Sequence, residues 1–165
     1  MTKKSKSSSQ WLNDHEKDEY VLRARREGYR SRASYKLFEI DKKFGLFRPG
    51  AVVVDLGAAP GGWTQIAVDK CGPKGFVVGL DLLEIAPLEG AVLIKGDFTE
   101  EKVLAELMAV LQDRPVDLVI SDMAPNLSGM REIDQPMAIY LTELALEFAC
   151  STLRPGGALA VSYTH

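Results

Sequence analysis

Three aspartates, Asp81, Asp97 and Asp122, each follow a short apolar run, and a fourth run opens into the glycine-rich turn Asp55-Leu56-Gly57-Ala58-Ala59-Pro60-Gly61-Gly62-Trp63. Glycines there let a backbone bend tightly and come close to a ligand. The turn is not the dinucleotide fingerprint, because G-x-G-x-x-G needs glycine where Ala59 stands. Nor is it a P-loop, which needs Gly-Lys-Ser/Thr where the chain reads Gly62-Trp63-Thr64. Asp81, in LDLL, is able to accept hydrogen bonds from both hydroxyls of a ribose, and an acid there argues against a 2′-phosphate. Gly96-Asp97-Phe98 sets a carboxylate for an exocyclic amine beside a ring for stacking. Asp122 begins a proline-stiffened turn, Asp122-Met123-Ala124-Pro125-Asn126, followed by Leu127-Ser128-Gly129-Met130. Taken singly, each acid is more readily a helix cap or a solvated turn residue. Their joint placement after successive apolar runs points to a nucleoside pocket.

Such a pocket requires strands that end side by side. AVVVDLG, from Ala51, is a β-branched run set off by Pro49-Gly50, the pattern of a strand covered on both faces. The periods then alternate. A helix is expected from about Trp63 to Lys70, strands at Phe76 to Leu80 and Val92 to Ile94, a helix at Glu100 to Leu111 and a strand at Val116 to Ile120. A long helix, Pro136 to Leu153, and a last strand, Ala158 to Tyr163, complete the pattern. Alternation of this kind implies an α/β domain, a mostly parallel sheet with helices on both faces, whose ligands bind outside the carboxyl ends of the strands. Upstream, Ala33, Leu37, Ile40 and Phe44 fall at helical spacing, with Ser31 a natural cap and Gly45 a stop, so a helix with one buried face precedes the sheet. The chain has no internal repeat.

At 165 residues and 46% hydrophobic, the chain suffices for one core. No stretch approaches the roughly 20 consecutive apolar residues of a bilayer helix, and the polar start is no secretory signal, so a cytoplasmic protein without a membrane association is expected. Cys71 and Cys150 are widely separated and lack a CxxC pattern, so no metal site is expected. The net charge of −3 conceals an asymmetry: Met1 to Lys43 carry 12 basic against 7 acidic residues, a balance of +5, leaving −8 for the remainder. Residues 1–10 (MTKKSKSSSQ) read as a disordered basic tail, 11–48 as a basic helical segment and 49–165 as the body. Within that segment Arg23, Arg25, Arg26, Arg30 and Arg32 interleave with Tyr20, Tyr29 and Tyr35, charges for phosphates and rings for stacking, which suggests a face for RNA.

The strings SRASYKLFEID, DLGAAPGGW, LDLL, KGDF and SDMAPNLSG, in this order and spacing, resemble the FtsJ-type ribosomal RNA ribose 2′-O-methyltransferases of bacteria. The resemblance covers nearly all of the chain beyond its first residues. It implies a Rossmann-like S-adenosylmethionine-dependent methyltransferase fold, methylation of a uridine 2′-hydroxyl in 23S ribosomal RNA, the large ribosomal subunit as partner and a monomeric enzyme. It also assigns residues. By motif, Gly61 and Trp63 line the methionine side of S-adenosylmethionine, Asp81 meets its ribose, Asp97 its adenine, and Asp122 the methionine portion and the reaction centre. The family's catalytic group is Lys-Asp-Lys-Glu, whose first lysine matches Lys36 and whose acid matches Asp122. The chemistry is sensible, because a ribose hydroxyl is a poor nucleophile near neutral pH and needs a nearby base or cation to share its proton.

One position departs from the pattern: Ser162 stands where the second lysine is expected. The chain also reaches His165 before the family's glutamate, so the resemblance implies a fold lacking its last helix and strands, intact cofactor binding and severely reduced turnover. Two other readings stay open. One is a non-catalytic module that binds cofactor or RNA. The other, less favoured, is a nucleotide-dependent oxidoreductase, against which Ala59 and the DMAPN turn count.

Overall fold

A computed structural model describes residues 18–123 and 128–162. The expected basic tail at 1–10 lies outside the described residues, as do the turn residues 124–127 and the final residues from Tyr163. The fold opens with two helices, α1 (Glu19–Glu27) and α2 (Ala33–Phe44). Asp18 caps α1 by accepting from the Tyr20 and Val21 amides, and Gly28, left-handed at φ 80°, ends it. Ser31 Oγ accepts from the Ala33 amide at 3.1 Å, but the cap position of α2 falls on Arg32, whose side chain makes no capping bond.

The sheet comprises β1 (Val52–Leu56), β2 (Phe76–Asp81), β3 (Ala91–Lys95), β4 (Val116–Ser121) and β5 (Leu153–Val161). Helices α3 (Gly62–Cys71), α4 (Glu101–Leu111) and α5 (Arg131–Thr152) connect them. Strand order is β3-β2-β1-β4-β5, and every pairing is parallel. Alternation along the strands divides the core in two. Val54, Leu56, Val78 and Leu80 face α4 and α5 with Leu107 and Phe148, whereas Val53, Val77, Leu118 and Ile120 face α2 and α3 with Leu37, Trp63 and Ile66. This is the expected Rossmann-like α/β architecture, with helices on both faces.

Three local differences have identifiable causes. Phe44, expected on the buried stripe of α2, is 66% exposed; Gly45 reverses the chain there, and Leu46 and Phe47 pack against the core instead. Helix α5 begins at Arg131 rather than Pro136. Proline favours the first turn of a helix, but here the turn before it is held by Asp134, which accepts from the Ser128 amide at 2.9 Å, the Ser128 hydroxyl at 2.8 Å and the Gly129 amide at 3.1 Å. The last strand starts early. Leu153 pairs with Val116 and Ala158 with Leu118, so residues 154–157 bulge out opposite Asp117, with Gly156 at φ 83°.

Candidate active site

The carboxyl ends of the strands form one rim. In register, Leu56 sits between Leu80 and Ser121, and Asp81 pairs with Lys95. The glycine-rich turn after β1 therefore lies between the exits of β2 and β4, where the chain order reverses and a parallel sheet opens its crevice. Asp81, Asp97 and Asp122 all leave the sheet on this side.

Asp81 holds the turn in place. One of its oxygens accepts from the Ala59 amide at 2.9 Å and the other from the Leu83 amide at 2.9 Å, while the Gly57 and Ala58 amides donate to the Leu80 carbonyl. A carboxylate has about four lone-pair directions, so Asp81 keeps acceptor capacity for a ligand's hydroxyls. Asp97 closes a small turn, accepting from the Thr99 amide at 2.9 Å and hydroxyl at 2.6 Å on the same oxygen. Those bonds hold its carboxyl below the ordinary range and leave the second oxygen outside the hydrogen bonds of the described residues. Phe98 beside it packs edge-on against Phe148, centroids 5.8 Å apart.

Asp55, read in the sequence only as the start of the turn, is fully buried on the face toward α3. Thr64 Oγ1 donates to one oxygen at 2.6 Å, and the other has no partner. Burial pushes this carboxyl up to about 7, against the Thr64 hydrogen bond and with help from the charges of Asp122 and Asp81. The signal was present in the sequence: an acid that ends a run of valines, with apolar neighbours on both faces of the strand, has no route to water.

The glycines of the turn serve other parts of the chain. A Cβ on Gly57, at φ 78°, would stand 2.7 Å from Met123 Cγ and 2.8 Å from its Cα, so the exit of β4 crosses directly over this residue. A Cβ on Gly61, at φ 111°, would stand 2.9 Å from Arg30 Nη1. Trp63 is 4% exposed, and its indole N–H donates to the Ala33 carbonyl at 2.7 Å. Its ring lies in the core and ties α3 to the first turn of α2; what it can present to the crevice is its backbone near the helix start.

From α2, Lys36 reaches the far side of the rim. Its Nζ donates to Ser162 Oγ at 2.5 Å, and the Ser162 amide donates to the Ser121 carbonyl at 2.8 Å, one residue before Asp122. The Asp122 amide in turn donates to the Leu56 carbonyl. Lys36 and Asp122 thus share one end of the sheet, although the ion pairs among the described residues do not join them.

In the basic segment the rings pack against one another, Tyr29 and Tyr35 half-buried and Tyr20 exposed. Tyr29 lies 5.9 Å from Tyr35 and 5.3 Å from Phe38, Tyr20 lies 5.9 Å from Tyr35, and the Arg23 guanidinium covers the Tyr35 ring at 4.5 Å. The Tyr35 hydroxyl donates to Glu27 at 2.6 Å, and it is pushed up to about 12, first by burial and then by that carboxylate. Arg32 pairs with Asp18 and Arg23 with Glu27. Arg25 and Arg26 enter no ion pair among the described residues and stand exposed.

Comparison with known proteins bears directly on this arrangement. Residues 29–165 match the model of the FtsJ-like methyltransferases. The ribosomal RNA large subunit methyltransferase E of Chromohalobacter salexigens is 59% identical over 153 residues, spanning 93% of this chain and 73% of that protein. Its counterpart in Alkalilimnicola ehrlichii is 53% identical over 163 residues, spanning 99% of this chain and 78% of that protein. Among solved structures, a ribosomal RNA methyltransferase of Plasmodium falciparum superposes with a TM-score of 0.74 at 28% identity, covering 81% of this chain and 77% of that one. The match takes in the glycine-rich turn, the carboxylates around it and Lys36 at the rim, and by sequence and fold together the chain belongs to the FtsJ-like methyltransferase family.

Proposed function

We propose that this protein methylates the 2′-hydroxyl of a uridine ribose in large-subunit (23S) ribosomal RNA, with S-adenosylmethionine as the methyl source. The observation that carries the reading is the convergence of Lys36, by way of Ser162 and Ser121, on the carboxyl end of the sheet where Asp122 and the glycine-rich turn lie.

The acceptor set fits the cofactor. Asp81 has capacity left for two ribose hydroxyls, and Asp97 has a second oxygen, outside its bonds to Thr99, for the adenine amine. Asp122 suits the ammonium of the methionine portion, and the backbone at Gly61 and Trp63, where α3 begins, suits its carboxylate. When bound, S-adenosylmethionine supplies an electrophilic methyl group. The chain's residues do the rest: Asp122 orients charge at the reaction centre, and Lys36 stands where a ribose hydroxyl would arrive and shares its proton as the oxygen becomes a nucleophile. Beside Lys36 lies the Ser162 hydroxyl rather than the second lysine that the family pattern places there. A hydroxyl exerts no cationic pressure on a neighbouring ammonium, so we expect slow transfer.

In this reading residues 11–48 face RNA, with Arg25 and Arg26, exposed and outside the ion pairs of the described residues, offered to phosphate, and 49–165 form the methyltransferase body. The setting is cytoplasmic ribosome assembly, the partner is the large ribosomal subunit, and the enzyme acts as a monomer. The test is transfer of tritium from labelled S-adenosylmethionine to undermethylated large ribosomal subunits, followed by nuclease digestion. Label in a 2′-O-methylated uridine supports the proposal. Label on a base, or equal label with Asp122→Ala, sinks it. Ser162 favours one second reading, a non-catalytic cofactor-binding module, which predicts cofactor affinity without any label.

A further inference from the structure

We propose that Arg30 is a positioning residue that latches the two loops of the cofactor pocket together, an inference resting on the reading of that pocket given above. The sequence grouped Arg30 with arginines free to meet phosphate, but the structure engages it internally. Nη1 donates to the Ala86 carbonyl at 2.7 Å and the Pro60 carbonyl at 3.4 Å, and Nη2 donates to the Pro87 carbonyl at 2.8 Å. Pro60 belongs to the turn after β1, Ala86 and Pro87 to the loop after β2, and Asp81 anchors the start of both. One guanidinium therefore spans the two walls of the pocket. A planar fork engages neighbouring carbonyls in a way that the point charge of lysine does not.

The surroundings are built around it. Gly61 lacks the Cβ that would strike Nη1 at 2.9 Å and Cδ at 3.1 Å. The Arg30 amide donates to Gln65 Oε1 at 3.2 Å, and Gln65 Nε2 donates to the Gly28 carbonyl at 2.9 Å, so α3 holds the backbone of the latch from beneath. Because Arg30 lies in the link between α1 and α2, the latch joins the basic segment to the cofactor walls. Without it, a ligand would have to order both loops as it binds, and its affinity would fall accordingly.

The experiment uses the intact protein, S-adenosylhomocysteine as probe and a single-stranded RNA oligonucleotide as control. Arg30→Lys keeps the charge and removes the fork. It is expected to weaken S-adenosylhomocysteine binding by roughly tenfold or more in calorimetry, while the slope of RNA affinity against salt stays unchanged. In the wild type the probe is expected to slow amide exchange at Tyr29 and Arg30, and Arg30→Lys to abolish that protection, a response that a purely structural arginine does not produce. Gln65→Ala, which leaves the guanidinium in place, is expected to show the same loss in smaller measure, and it decides the question if the Arg30 variant melts. Wild-type affinity in both variants overturns the latch. So does wild-type affinity in Arg30→Lys with a salt slope about one unit shallower in Arg30→Ala, the signature of a phosphate contact. A wild-type protein that binds no S-adenosylhomocysteine removes the pocket reading and the latch together.

Discussion

Asp55 is expected to make the stability of this fold fall as pH rises through the range below neutrality. It is 0% exposed, has one hydroxyl partner and an unpaired second oxygen, and its carboxyl is pushed up to about 7 from an ordinary 3.8. Below pH 3.8 it is neutral in the folded and unfolded chain alike, and it costs nothing. As pH rises from there toward 7, the unfolded chain releases a proton that the folded chain retains, so this residue's contribution to stability is lost progressively across that window. A difference of about three pKa units at about 1.4 kcal/mol each gives a loss of roughly 4 kcal/mol by pH 8. Asp55→Asn keeps the shape and the acceptor for Thr64 but cannot ionise. Urea unfolding followed by circular dichroism at pH 4.5, 6, 7.5 and 8.5 is the assay, and the difference between the two proteins cancels every other titrating group. The variant is expected to match the wild type within about 1 kcal/mol at pH 4.5 and to exceed it by several kcal/mol at pH 8.5, a melting difference on the order of 10 °C for a chain of this size. Parallel stability curves, or a wild type that gains on the variant as pH rises, would refute the reasoning, since either result means that the buried carboxylate is ionised and paired.

Three further outcomes are expected. Lys36→Met and Asp122→Asn should each lower methyl transfer about 100-fold or more in the tritium assay, with the Lys36 variant keeping its affinity for S-adenosylhomocysteine. Ser162→Lys, which puts a second cation beside Lys36, should raise the transfer rate about tenfold and move the pH–rate profile toward lower pH; an unchanged rate and profile would count against the role given to Lys36. Trp63→Phe removes the indole N–H from the Ala33 carbonyl and should cost about 1–3 kcal/mol in urea unfolding, with the loss appearing in the midpoint rather than the slope.

Much of the scaffold was legible because parallel strands covered on both faces must be apolar throughout. VVVDL, FVVGLD and VDLVIS stand out as such runs and recur as β1, β2 and β4. The alternation with helices then restricts the topology, and with it the side of the sheet on which Asp81, Asp97 and Asp122 emerge. Element ends were less legible. Pro136 marks a plausible helix start, yet three hydrogen bonds to Asp134 from the preceding loop build another turn ahead of it.

Residue type and spacing by themselves determined the family pattern, the strand exits and the acids at the mouth of the crevice, since periodicity and short motifs are local properties of the chain. Only the tertiary structure decided what those residues touch. Gly57 and Gly61 make room for Met123 and Arg30, Trp63 belongs to the core, Arg30 bonds carbonyls of two loops, and Lys36 meets Ser162 across 126 positions of chain. Glycine in a turn, or arginine in a basic stretch, is compatible with many neighbours. Which neighbour fills the space or takes the hydrogen bond depends on segments brought together from distant parts of the chain, and packing and the pairing of buried polar groups settle that choice.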